Sequence, residues 1–175
     1  MLEGLPSPFQ FETHQLLDER PSRINRELDR AATQCRSAES LLLIYYFGHA
    51  RRVPDGLAFV HRGPSKQTRE SLTFQSMFYR VRAGDPSSAL FVLDCCYAGA
   101  AGKHVAELPQ NRYCLIACTT ASTRALWENR GDTPIGVFTS TLLDGFFNPA
   151  AAVSNVDDRI TAESLFSFVR TKRWI

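Results

Sequence analysis

A chain of 175 residues with 44% hydrophobic residues and a mean hydropathy of −0.19 is the size and composition of one globular domain with a substantial core. The formal charge of +2 is too small to imply a nucleic-acid partner, and the basic residues, 17 of 20 of them arginine, are scattered instead of massed; no apolar run approaches the roughly 20 residues of a membrane helix, and residues 1–20 lack a signal-peptide core. Five cysteines, two of them vicinal (Cys95 and Cys96), make no even-numbered disulfide framework and point to a reducing, cytoplasmic home.

Residues 1–8 carry two prolines and read as a lead-in, and Phe9 to Leu17 alternates partly, a candidate strand. Pro21-Ser22 starts a helix with Ser22 as its N-cap and with Ile24, Leu28, Ala31, Ala32 and Cys35 on one face. Leu41 to Phe47 is an apolar and aromatic run, a buried strand that ends in Gly48-His49-Ala50. Pro54-Asp55-Gly56 is a turn before a short strand or hairpin arm at Leu57–Val60, and residues 63–70 are a polar loop. Phe74, Met77, Phe78 and Val81 recur at helical spacing, so residues 71–82 form a helix that Gly84-Asp85-Pro86 stops. Ala89 to Leu93 is the central buried strand and runs into Asp94-Cys95-Cys96, with a small-residue loop from Ala98 to Gly102. Tyr113 to Cys118 is a further buried strand, residues 119–134 a polar loop, Val137 to Phe147 a helix, and a last helix follows Thr161 with Leu165, Phe166 and Val169. Phe138, Phe146, Phe147, Phe166 and Phe168 are assigned to the core, and His14, His61 and His104, which follow no metal-ligand spacing, to the surface.

Strands alternating with helices give a parallel α/β sheet with right-handed crossovers, and reactive groups in such sheets gather at the carboxyl ends of the strands. If the strands ending before His49 and Cys96 are neighbours, imidazole and thiol meet although 47 residues separate them. That is the pair a thiolate mechanism needs, a base to take the proton and later return it to a leaving amine. Cys35, Cys114 and Cys118 read as core thiols, Cys95 as buried on the opposite side of its strand. Asp94, at a strand end, has two readings: an acid that meets a guanidinium or ammonium, or a group that caps a helix or orients His49. Trp127 walls a subsite or simply packs.

Tyr45-Tyr46-Phe47-Gly48-His49-Ala50 resembles the histidine motif, and Asp94-Cys95-Cys96-Tyr97-Ala98-Gly99 the cysteine motif, of caspase-like cysteine peptidases of the metacaspase and fungal caspase-domain type. Gly136-Val137-Phe138-Thr139 and Ile160-Thr161 with Leu165 resemble two later helix starts of that family, and the likeness spans residues 9–170 of a single domain. The resemblance implies a three-layer fold, a mostly parallel sheet between helices, and a cofactor-free endopeptidase acting on proteins or peptides, with a role in regulated cell death. It implies Cys96 as nucleophile, His49 as acid/base, and the backbone N–H groups of Cys96 and Ala50 as the oxyanion hole. Ala50 stands where the family has glycine and resists positive φ. Asp94 takes the place of a specificity-pocket acid, which implies arginine or lysine at P1. The family's first central strand has no counterpart before Phe9, so the chain reads as N-terminally incomplete, which favours self-association or an additional regulatory domain. The short spacing from Gly99 to Tyr113 implies a single-chain enzyme; no cluster of acids obviously matches the calcium site of some metacaspases, and the scattered Asp132, Asp157 and Asp158 leave calcium activation open. Two other readings are an inactive caspase-like assembly module and a flavodoxin-like ligand-binding domain; the second lacks the Gly-rich phosphate loop it needs.

Overall fold

The computed structural model describes residues 12–60, 72–106, 112–130, 133–147 and 160–172. Three parallel strands, β1 (Leu41–Gly48), β5 (Ser88–Cys95) and β6 (Tyr113–Ala117), form the central sheet in the order β1-β5-β6. Between β1 and β5 the chain makes β2 (Ala50–Val53) and β3 (Gly56–Phe59), then β4 (Leu72–Thr73) and helix α2 (Phe74–Gly84); β2-β3-β4 is a small antiparallel sheet. Helix α1 (Pro21–Gln34) precedes β1, α3 (Gly102–Ala106) follows β5, and a β7–β8 hairpin (Trp127–Arg130, Thr133–Gly136) leads into α4 (Val137–Phe147) and, later, α5 (Ala162–Thr171).

The alternation of β5 sorts the core into two layers. Its odd residues Ala89, Phe91, Leu93 and Cys95 pack with Leu28 and Ala32 of α1 and Phe74, Met77, Phe78 and Val81 of α2. Val92, on the other side, packs with Phe138 and Leu142 of α4 and Leu165, Phe168 and Val169 of α5. Helices therefore cover both faces, and the sheet is the middle of three layers. Each helix is punctuated by local chemistry. Thr73 Oγ1 accepts from Ser76 N at 3.1 Å to cap α2, Asp85 ends that helix at φ +55°, and Thr161 with Ser164 forms a capping box on α5.

Several expectations are corrected. Residues 12–17 of the candidate strand Phe9–Leu17 pair with nothing as a strand; Phe9, Gln10 and Phe11 lie outside the described residues, as do His61 and the loop at 63–70. Pro21 takes the first helical position of α1 after Arg20, which puts Ser22 inside the first turn with no capping role. The stretch from Ala98 is a 3-10 turn (Ala98–Ala101) that continues into α3, and the polar 119–134 segment contains the β7–β8 hairpin. β1 is only partly covered on its α4 side: Leu43 packs against the α4/α5 cluster, but Leu41, Tyr45 and Phe47 are exposed, and no strand pairs with its outer edge among the described residues. Phe147 and Phe166 are exposed, so the aromatic core of α4 and α5 is Phe138 and Phe168, with Phe146 at its margin. His104 is buried, its Nε2 2.8 Å from the Asp55 carbonyl, where it ties α3 to the β2–β3 turn.

Candidate active site

β1 and β5 are in register from Leu41 opposite Ser88 to Gly48 opposite Cys95. They end together, and the next residue along each is His49 and Cys96. The register thus brings the two candidate residues to one edge, His49 exposed and Cys96 half-buried. No hydrogen bond joins ring and sulfur in this structure; unliganded catalytic pairs are commonly loose and tighten when substrate closes over them.

Each of the two turns is held by its neighbours. The His49 carbonyl accepts from Tyr46 Oη at 2.7 Å and from Val60 N at 2.8 Å. Burial pushes the Tyr46 phenol up, and its ring packs on Phe59 at 4.3 Å between centroids. Gly48 suits this turn, since its φ is +156° and a Cβ on it would stand 2.9 Å from that phenol oxygen. Ala50 opens β2 opposite Phe59 and is absent from the residues with positive φ, so the alanine meets no backbone demand that only glycine can fulfil.

The turn after Cys96 is clamped by the chain that leaves β6. Tyr97 sits at φ +61° and donates its N–H to Thr123 O at 2.9 Å. Thr119 Oγ1 accepts from Ala98 N at 2.8 Å and donates to Cys95 O at 3.0 Å, and Gly99 N donates to Thr119 O at 2.9 Å. A Cβ on Gly99 would lie 2.8 Å from Ala121 N, and Ala98 and Ala101 are fully buried, which is why this segment is built of small residues. The same clamp brings Arg124, unremarked in the sequence, within electrostatic reach of Cys96. Its exposed guanidinium meets the Tyr97 hydroxyl, and that contact, then the charges of Tyr97 and Cys96, favour its charged form.

Asp94 is 2% exposed and faces α4. Its Oδ2 accepts from Thr139 N at 3.2 Å and from Thr139 Oγ1, in the first turn of that helix. Tyr45 Oη lies 2.6 Å from the same Thr139 oxygen. Thr139 has one hydroxyl proton and gives it to Asp94, so Tyr45 is the donor, and the three groups form a chain from a half-exposed phenol to a buried carboxylate. Gly136 leaves the room; a Cβ there would overlap the carboxyl group. Burial raises the Asp94 pKa and the Thr139 hydrogen bonds oppose the rise, with the positive end of α4 acting in the same sense as those bonds. Of the two readings of Asp94, this is the helix-capping geometry. Oδ1 is left without a hydrogen bond. The Cys118 thiol lies beside it but gives its proton to Cys95 O at 3.3 Å, and burial, then Asp94, pushes that thiol up to about 12.

The other cysteines sit apart from this chemistry. Cys95 is wholly buried on the α1/α2 side and pushed up by burial, and burial also raises Cys35 and Cys114. All five are free thiols. Trp127 is 62% exposed on β7, and His14 lies at the surface between Glu12 and Arg30. Asp132, Asp157 and Asp158 lie outside the described residues. Among the described residues no helix is long and apolar enough to cross a membrane, and no group of three His, Cys, Asp or Glu gathers as a metal site. The family model described as the caspase domain matches residues 1–172. No curated protein matches the chain.

Proposed function

Because the chain belongs to the caspase-domain family of cysteine peptidases, we propose that it is an endopeptidase whose nucleophile is Cys96 and whose acid/base is His49. The observation that carries this reading is the register of β1 and β5, which ends both strands one residue before those side chains. His49 takes the thiol proton, and the thiolate attacks the scissile carbonyl. The oxyanion is held by the N–H groups of Cys96 and Ala50. Collapse breaks the C–N bond, His49 protonates the departing amine, and a thioester remains on Cys96. Water, deprotonated by His49, then hydrolyses the thioester and restores the thiol.

Specificity in this reading belongs to Asp94. Oδ2 is anchored to Thr139, while Oδ1 is a buried acceptor without a donor, a costly state that an arginine or lysine at P1 relieves. Five free thiols fit a cytoplasmic setting. A fluorogenic peptide pair differing only at P1 tests the whole: arginine is cleaved faster than aspartate, and Cys96→Ala and His49→Ala each lower kcat/KM at least about a thousand-fold. Faster cleavage after aspartate removes the Asp94 assignment; turnover that survives Cys96→Ala removes the dyad. The second reading, an inactive assembly module, is favoured by one observation, the exposed His49 with no hydrogen bond to Cys96. It predicts a protein that cleaves neither peptide.

A further inference from the structure

The central sheet has two outer edges, and among the described residues no strand pairs with either. They are finished differently. On β6 none of the side chains from Tyr113 to Ala117 is exposed. On β1 Leu41 is 49%, Tyr45 46% and Phe47 43% exposed, and the three share the α4 face because side chains alternate along a strand. Natural sheets blunt an open edge with lysine, proline, a bulge or a very short strand. β1 has none of these: Leu41-Leu42-Leu43-Ile44-Tyr45-Tyr46-Phe47-Gly48 is uncharged, and its pairing to β5 runs unbroken through all 8 residues. Its two tyrosines are already fixed, Tyr45 Oη on Thr139 Oγ1 at 2.6 Å and Tyr46 Oη on the His49 carbonyl at 2.7 Å. A strand that docks here has little left to order.

We propose that the open edge of β1 is a self-association surface, to which β1 of a second copy adds antiparallel about a two-fold axis normal to the sheet. Such pairing keeps like faces together. Centred on Ile44, it sets Leu41 opposite the partner's Phe47 and Leu43 opposite the partner's Tyr45, aliphatic against aromatic, and joins the two sheets into one. Charge selects both the occupant and its direction. Exposed Glu39 lies two residues before β1, and exposed Arg51 and Arg52 lie just past its end, in β2. Antiparallel addition of a second copy carries the carboxylate of each toward the guanidinium groups of the other, whereas parallel addition sets like charge against like. The chain's own residues 1–11 fit the edge less well, since Pro6 and Pro8 give no ladder N–H. The inference stands apart from the peptidase reading above and needs no catalytic group.

Sedimentation velocity over protein concentrations from about 1 to 100 μM, the range of a modest interface, reads the association. The mass rises from near the 19.6 kDa of one chain toward twice that value. Leu41→Lys puts a charge on the open edge and weakens the dimer at least about ten-fold. Phe166→Lys, the same kind of change at an exposed position on α5, leaves it unaltered, and both variants keep the wild-type circular dichroism. Glu39→Arg weakens the dimer about two- to five-fold, as expected of surface ion pairs, and adding Arg51→Glu with Arg52→Glu restores it. Ile44→Cys, on the axis, gives a disulfide-linked dimer with oxidised glutathione that the wild type, with its own free thiols, does not. A monomer throughout the range, a dimer that Leu41→Lys leaves as tight as before, or an Ile44→Cys protein that never cross-links overturns the inference.

Discussion

The two faces of the central sheet are made from the same strand and are used in opposite ways. On the α1/α2 face Phe91 sends its ring among Phe74 and Phe78, at 5.4 and 5.7 Å between centroids, with every one of these side chains at most 1% exposed. On the α4 face the residue three positions on is a carboxylate held by a hydroxyl chain, and the neighbouring strand leaves Tyr45 and Phe47 open. The first face secures the strand. The second spends part of its packing on a buried charge and an uncovered shelf, and that is where a ligand has something to gain.

The comparison breaks most visibly in the dry layer. Phe91→Ala removes a fully buried ring and costs about 3–5 kcal/mol, read from urea unfolding followed by circular dichroism. Gly136→Ala attacks the other face by driving a methyl group into the Asp94 carboxylate; a loss of about 2 kcal/mol and a displaced Thr139 contact are expected, and an unchanged unfolding midpoint would show that the carboxylate moves aside freely.

How far each face was legible in the sequence follows the same division. Leu41–Phe47, Ala89–Leu93 and Tyr113–Cys118 are short apolar runs, and α1, α2, α4 and α5 carry helical spacing, so the packed layers were visible as patterns. Trp127–Arg130 and Thr133–Gly136 were not, because neither alternates and the second contains Pro134. The turn at Ala98–Ala101 was hidden by small residues with no apolar period, and burial of His104 depends on a carbonyl 49 residues away. His49 and Cys96 stand out in the sequence because each follows an apolar run, and their arrival at one edge of the sheet needed only adjacency of two strands. The tie from Asp94 to Thr139 spans 45 residues and has no local signature, although both motifs had been noted separately, and Arg124 is one arginine in a polar stretch until Tyr97 pairs with Thr123.

The charge on the open face supplies a finer contrast. Burial raises the native pKa of Asp94 above its unfolded value, so the folded state holds its proton longer. The stability involved is fully present below the ordinary carboxylate range and is lost as pH rises through the raised native pKa. Its titratable neighbours Tyr45 and Cys118 are both pushed up to about 12 and stay neutral throughout that window. Asp94→Asn therefore flattens the curve. Urea midpoints of the two proteins should separate as pH rises from acid toward neutral, with the variant relatively more stable at the upper end. Parallel curves would mean that Asp94 titrates as an ordinary carboxylate. The smallest effect belongs to Tyr45→Phe, which removes one hydroxyl donor from Thr139 and lowers stability by about 1 kcal/mol, with the sheet otherwise unaltered by circular dichroism.

The pairing of an imidazole and a thiol at the shared end of β1 and β5 is tested most directly by covalent capture. A peptidyl acyloxymethyl ketone with arginine at P1, followed by peptide mapping in a mass spectrometer, should mark Cys96 and leave Cys35, Cys95, Cys114 and Cys118 unmodified. The same reagent should fail on folded His49→Ala protein. Modification spread over several cysteines, or Cys96 captured equally well without His49, would contradict the account.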